Sequence, residues 1–206
     1  FVDNLVTKQM SNDIKYHVAC MTFNKNTKDY EYNGADCHEI YVPNIGGPKA
    51  ILYDLRALDW ALNEIKKNSL KNGIIYILAC RIGPFIHSYI PKFHKYGFQV
   101  WVNPDGHEWL RAKWSKPVRR YWKVSEGGMV KNADLLICDS KNIEKYIRVF
   151  LRKERIFHFF GKGSLRKFPS NSDRHGKMRL PFFAENRACT EVGRVSADEK
   201  RTGFGY

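Results

Sequence analysis

What the sequence lacks narrows it first. No stretch approaches the roughly 20 consecutive apolar residues that span a bilayer; the longest runs, such as "IIYILAC", are strand-sized, and a soluble chain is expected. Cysteine is sparse and unpatterned: Cys20, Cys37, Cys80, Cys138 and Cys189 are odd in number, scattered, and include no C-x-x-C pair. Three of them (Cys20, Cys80, Cys138) lie in or at the end of apolar runs, so reduced, buried thiols of a cytosolic protein are expected. The clustered Cys and His ligands of a zinc site are missing too. His87 and His94 could share a helix face, but that spacing fits packing better than ligation, and no metal site is expected. No Ser-His-Asp or Cys-His order stands out. "FGKGSLRK" (160–167) lacks the full G-x-x-x-x-G-K-[ST] pattern and a preceding strand, which sets a phosphate loop aside. An initiator Met is also absent. "FVDNLVTKQM" already reads as an amphipathic helix with no signal or transit segment ahead of it, and the expectation is a chain cut at its N-terminus.

What is there points to a globular domain. A content of 43% hydrophobic and 14% aromatic residues in a chain of 206 residues suits one ordinary domain with a proper core. The net charge of +14 suggests polyanionic partners: nucleic acid, anionic lipid or phosphorylated substrates. A solvated basic surface is the plainer explanation. Half of that excess lies past residue 150, where 13 Lys and Arg face 6 Asp and Glu. There the strand-like runs disappear and no helical or strand period remains. Residues 151–206 therefore read as a basic irregular tail, either disordered or frame-shifted, with the shifted frame preferred. Since half of the charge sits outside the folding part, nucleic acid is not an expected partner.

Residues 1–150 carry a regular alternation. Strands are expected at 16–23, 38–42, 74–80, 98–103 and 133–140, and helices at 50–67, 84–97 and 141–150. A further helix, holding "VNPDGHEWLRAKW" (102–114), is expected directly after 98–103. Strands apolar on both faces and alternating with helices imply a mostly parallel, Rossmann-like α/β sheet with helices on both faces. Ligands in such sheets sit beyond the carboxyl ends of the strands. The loops to inspect are thus 80–84, 103–108 and 138–142, with 43–48 beside them.

In 102–114, Asp105 suits an N-cap and Glu108, three residues on, completes a capping box. Capping and packing leave an excess of Asp, His, Glu, Arg, Lys and two Trp at one strand end. Aromatic rings stack on the C–H faces of sugars while carboxylates accept their hydroxyl hydrogens, so the stretch suits a sugar as well as a capped helix. Arg81, directly after the most buried strand, could pair with a phosphate or carboxylate, or simply extend from the sheet edge. Gly46 and Gly47 precede Pro48 at a helix start, which is ordinary helix grammar and a weak phosphate signal.

Four blocks, "YVPNIGGPKAILYDLRAL", "ILACRIGPF", "VNPDGHEWLRAKWSKP" and "ADLLICDSKNIEKYI", resemble bacterial capsular-polysaccharide rhamnosyltransferases of glycosyltransferase family 4. The resemblance covers residues 1 to about 149. It implies the N-terminal, acceptor-side domain of a GT-B glycosyltransferase, lacking the first strand and glycine-rich loop with which members begin. It further implies transfer of L-rhamnose from dTDP-L-rhamnose to a polyprenyl-diphosphate-linked sugar in capsule or exopolysaccharide synthesis. The chemistry would be retaining, without metal or cofactor, at the inner face of the cell membrane with peripheral contact to anionic lipid. Acceptor-binding residues would be Arg81, Asp105, Glu108, Trp109 and Arg111; no catalytic residue is assigned. His107 stands where an apolar residue is expected. A chain holding half of an interdomain cleft is expected to be inactive alone. The rival reading is a non-catalytic carbohydrate- or polyanion-binding module.

Overall fold

The unbroken apolar runs become strands of one eight-stranded sheet in the computed structural model, which describes residues 2–7, 14–104, 107–150, 156–158 and 179–183. In chain order the elements are α1 (Val2–Thr7), β1 (Lys15–Thr22), β2 (Asp29–Tyr32), β3 (Ala35–Tyr41), α2 (Lys49–Lys67), β4 (Ile74–Ile77), α3 (Gly83–His94), β5 (Gln99–Val102), a 3₁₀ turn (Glu108–Leu110), α4 (Lys116–Asn132), β6 (Leu135–Cys138), α5 (Lys141–Phe150), β7 (Ile156–His158) and β8 (Arg179–Phe183). Across the sheet the order is β2-β3-β1-β8-β4-β5-β6-β7. All pairings are parallel except β2 with β3. The expected α/β class, with a mostly parallel sheet, holds.

From β3 onward the chain steps one way across the sheet, to β4, β5, β6 and β7. Right-handed crossovers in a single direction put the intervening helices on one face. Accordingly Leu58 of α2, Phe93 of α3, Met129 of α4 and Ile147 of α5 share a core with Ala19, Val42, Ile77, Val102 and Leu136. The opposite face buries Val18, Cys20, Cys37, Ile74 and Tyr76 beneath Val2 and Val6 of α1. All four residues of β4 are buried, which is why "IIYI" shows no polar alternation. Cys20, Cys37, Cys80 and Cys138 are buried thiols, while Cys189 lies outside the described residues. Burial pushes the Cys138 thiol up to about 12. Among the described residues, no helix is long and apolar enough to cross a membrane.

Three expectations need correcting. First, the polar stretch between β1 and β3 contains a strand: Asn33 and Gly34 both take positive φ (49° and 78°), the two-residue turn whose twist suits a hairpin, and β2 folds back on β3. Second, no α-helix follows β5 directly. A helix running from Asp105 onward would carry Pro117 in its interior, at a cost of about 3 kcal/mol; instead α4 begins at Lys116 with Pro117 in its first turn, where the missing N–H costs nothing. Third, the segment past 150, read as lacking any strand, supplies the backbone of β7 beside β6 and of β8 between β1 and β4.

Candidate functional site

The carboxyl end of β4 is tied to α4 through small residues. In "SEGG" (125–128), Ser125 Oγ donates to the Cys80 carbonyl (2.6 Å) and accepts from the Gly83 amide (2.8 Å). A Cβ on Gly83 would lie 1.9 Å from the Ser125 carbonyl oxygen, and one on Gly128 would lie 2.6 Å from the Gly83 carbonyl oxygen. Glycine at both positions thus lets α3 and α4 meet backbone to backbone. This contact fixes the loop that bears Arg81. Tyr121 of α4 donates to the Arg81 carbonyl (2.7 Å), and its own phenol is pushed upward by burial.

The Arg81 guanidinium is held by Asp54 of α2 through a two-pronged pair, Nε to Oδ2 at 2.8 Å and a terminal nitrogen to Oδ1 at 2.9 Å. The two side chains are only 12% and 6% exposed. Such fork-to-fork pairing orients both groups and makes Arg81 first a structural clasp between α2 and the β4 end.

Beyond β5 the chain passes buried Asn103 and reaches His107, which adopts a left-handed conformation (φ 57°). Glu126 of α4, 5% exposed, is the hub of this loop. Its carboxylate accepts from Trp109 Nε1 (3.1 Å), from the Tyr146 phenol (3.0 Å) and from the His107 amide (3.4 Å). Burial and then Glu126 push Tyr146 up to about 12, so it stays a donor. The His107 ring packs on Tyr146, with centroids 4.1 Å apart. Outside this hub, Glu108 accepts from Trp114 Nε1 (3.0 Å) and pairs with Arg111 (2.6 Å) and Lys113 (3.4 Å). Arg119 of α4 donates to the Trp109 and Leu110 carbonyls and seals the turn. The result is a rim of half-buried Trp109, Trp114 and His107 with carboxylates behind them. Chemically its rings can stack on a sugar.

Of the sequence candidates, Arg81, Glu108, Trp109 and Arg111 lie on the loops after β4 and β5, at the same edge of the sheet. Asp105 lies outside the described residues. Gly46 and Gly47 sit after β3, with open space where a Cβ would be; Gly46 has φ 74°. Lys113 lies over the Trp114 ring (4.5 Å) and Lys123 over the Trp109 ring (4.8 Å). His94 is bound to Asp134 at 2.8 Å. Sequence reasoning missed Asp54, Tyr121, Ser125, Glu126 and Tyr146. For Asp54 and Glu126 a signal existed, a lone acid among residues that face the core.

The model of the family described as "Domain of unknown function (DUF1972)" matches residues 1–161. The chain belongs to the DUF1972 family. No curated protein matches this DUF1972 chain. Among solved structures, a chain of sucrose-phosphate synthase from Thermosynechococcus elongatus is similar over 93% of this chain and 86% of its own, with 10% identity and a TM-score of 0.40.

Proposed function

We propose that this DUF1972 chain is the acceptor side of a GT-B glycosyltransferase that moves L-rhamnose from dTDP-L-rhamnose onto a polyprenyl-diphosphate-linked sugar for capsule or exopolysaccharide synthesis. The observation that carries this reading is the aromatic and carboxylate rim at the carboxyl ends of β4 and β5, built from the blocks that resemble the rhamnosyltransferases. Trp109 and Trp114 offer half-buried rings, and Glu126 and Glu108 keep them oriented. Arg111, half exposed at the same rim, suits the acceptor diphosphate. Arg81 acts by holding the loop to Asp54, and Gly46 and Gly47 remain weak phosphate candidates.

The same sheet edge supports a lipid-borne acceptor. Phe23, Ile45, Phe85 and Leu110 are each at least two-fifths exposed (52%, 50%, 42% and 52%) and follow β1, β3, β4 and β5 respectively. Parallel strands bring these four positions to one end of the sheet, where apolar side chains suit a polyprenyl chain or shallow contact with an anionic membrane on its cytoplasmic side. The donor nucleotide would be held by a second domain facing this rim, with electrostatic stabilisation of the leaving diphosphate and no metal in the step.

The test is titration of the chain with polyprenyl-diphosphate-linked glucose in detergent, followed by tryptophan fluorescence. Saturable binding is expected, weakened about fivefold in Trp109→Ala, since one stacked ring is worth on the order of 1 kcal/mol. Absence of saturable binding by the folded chain would overturn the acceptor-side reading. Transfer from dTDP-L-rhamnose is expected only once a donor domain is supplied, and turnover by this chain alone would contradict that division of labour.

A further inference from the structure

The opposite, amino-terminal half of the sheet holds a second cluster. His17 of β1 and Asp36 of β3 are paired across the ladder, and His38 lies two residues along β3. By strand alternation all three share the α2 face with Ala19 and Ile40. Trp60 of α2 covers His38, with ring centroids 4.4 Å apart. The facing atoms are His17 Nδ1, His38 Nε2 and Asp36 Oδ2. His17 Nδ1 lies 3.4 Å from His38 Nε2 and 3.6 Å from Asp36 Oδ2. One ligand atom from each of the three residues falls within 4.8 Å of the others.

We propose that His17, Asp36 and His38 form a binding site for a borderline divalent cation of the Zn²⁺ type. Two nitrogens bound tetrahedrally at about 2.0–2.1 Å from zinc stand about 3.4 Å apart, which is the separation found here. A second observation points the same way. The other nitrogen of His38, Nδ1, faces Asp29 Oδ1 of β2 at 3.1 Å. A carboxylate on Nδ1–H fixes the tautomer that leaves the Nε2 lone pair aimed into the cluster, the usual arrangement behind a metal-bound imidazole. Two imidazoles and one carboxylate select zinc, cobalt or nickel over magnesium and calcium, which take oxygen ligands. Asp36 also pairs with Lys15 at 2.6 Å, but that ammonium is half exposed and can swing into water as the cation enters. The cation would tie β1 to β3 and, through Asp29, to β2. It would brace the sheet edge far from the carboxyl rim.

The experiment is calorimetric titration of the apo full chain with ZnCl₂, with MgCl₂ as a second arm and Co²⁺ absorption as a third. One equivalent of zinc is expected, with a rise in melting temperature and no response to magnesium. His17→Gln and His38→Gln should each weaken zinc at least tenfold, and Asp29→Asn roughly tenfold, as for other outer carboxylates. Circular dichroism of each apo variant establishes that it is folded before titration. Cobalt should give ligand-field bands without a thiolate charge-transfer band. Three results would overturn the proposal: no stoichiometric zinc binding, undiminished binding in the folded His17→Gln/His38→Gln double variant, or a thiolate band assigning the metal to cysteine.

Discussion

Arg81 and Asp54, nearly sealed from water at the end of β4, illustrate how a single charge changes meaning once its surroundings are known. A buried pair contributes little compared with an apolar pair of the same shape, yet removing one partner strands the other. Arg81→Ala and Asp54→Ala should therefore each destabilise by about 3–5 kcal/mol, while Arg81→Met combined with Asp54→Leu should return most of that loss. Urea unfolding of the three variants measures it, and additive losses would refute the coupling. The place of Arg81 after the most buried strand was legible in the sequence. Its partner was not, because Asp54 precedes it by most of a helix and one strand. The hint lay in helical spacing: Asp54 shares its face with Leu58, Ala61 and Ile65, so an acid there has to meet a cation. Glu126 likewise sits one turn from Met129 and Val130, inside the buried face of α4. Trp109 and Glu108 were legible as residues of the rim, but which donor meets which carboxylate depends on a fold-back across 17 residues for Trp109 and Glu126.

At the scale of elements, the crossing of α3 on α4 decides where the rim stands. Gly83→Ala drives a methyl into the Ser125 backbone, which cannot yield as a side-chain tip would. The expected loss is at the upper end of the 1–3 kcal/mol typical of overpacking, or above it. Gly127, one residue away from Gly128, has open space around its Cβ position. Gly127→Ala should instead stabilise α4 by up to about 1 kcal/mol through helix propensity. Thermal melts of the two variants should move in opposite directions, and a shared direction would show that the close approach is not the constraint. Long periodic helices such as α2 were readable to within a residue, since the apolar stripe in 50–67 reflects burial directly. The loop after β5 misled because two start signals compete there: Asp105 with Glu108, and Ser115 with Pro117. Proline prevails because it acts through covalent geometry, whereas the capping box contributes only on the order of 1 kcal/mol.

For the whole molecule, alkaline pH probes packing across the sheet and helices together. Tyr89 and Tyr146 are pushed up to about 12 from an ordinary 10.0, chiefly by burial, and Tyr76 is raised by burial as well. Between those values the unfolded chain gives up phenol protons that the folded chain keeps, so stability is fully present below pH 10 and falls as pH rises toward 12. Urea midpoints should stay flat with respect to these groups up to about pH 9 and drop steadily above it. Phenolate absorbance should rise largely with unfolding rather than before it. Free ionisation in the native state would contradict the burial. At this scale the α/β class was readable from apolar runs without alternation, whereas β2 was hidden by its exposed "DYEY" and β8 by a proline. That eighth strand has a consequence in time. Among the described residues, Arg179–Phe183 is the strand that carries the hydrogen-bonded ladder from β1 to β4, so the two parts of the sheet share a core but not a ladder until it is in place. A ribosome making about 5–20 residues per second would release both parts seconds before the strip that closes them. Pro181, lacking an amide hydrogen, leaves one rung of that closure unmade. Among the described strands, the pairing of β8 with β1 thus joins the segments most distant along the chain.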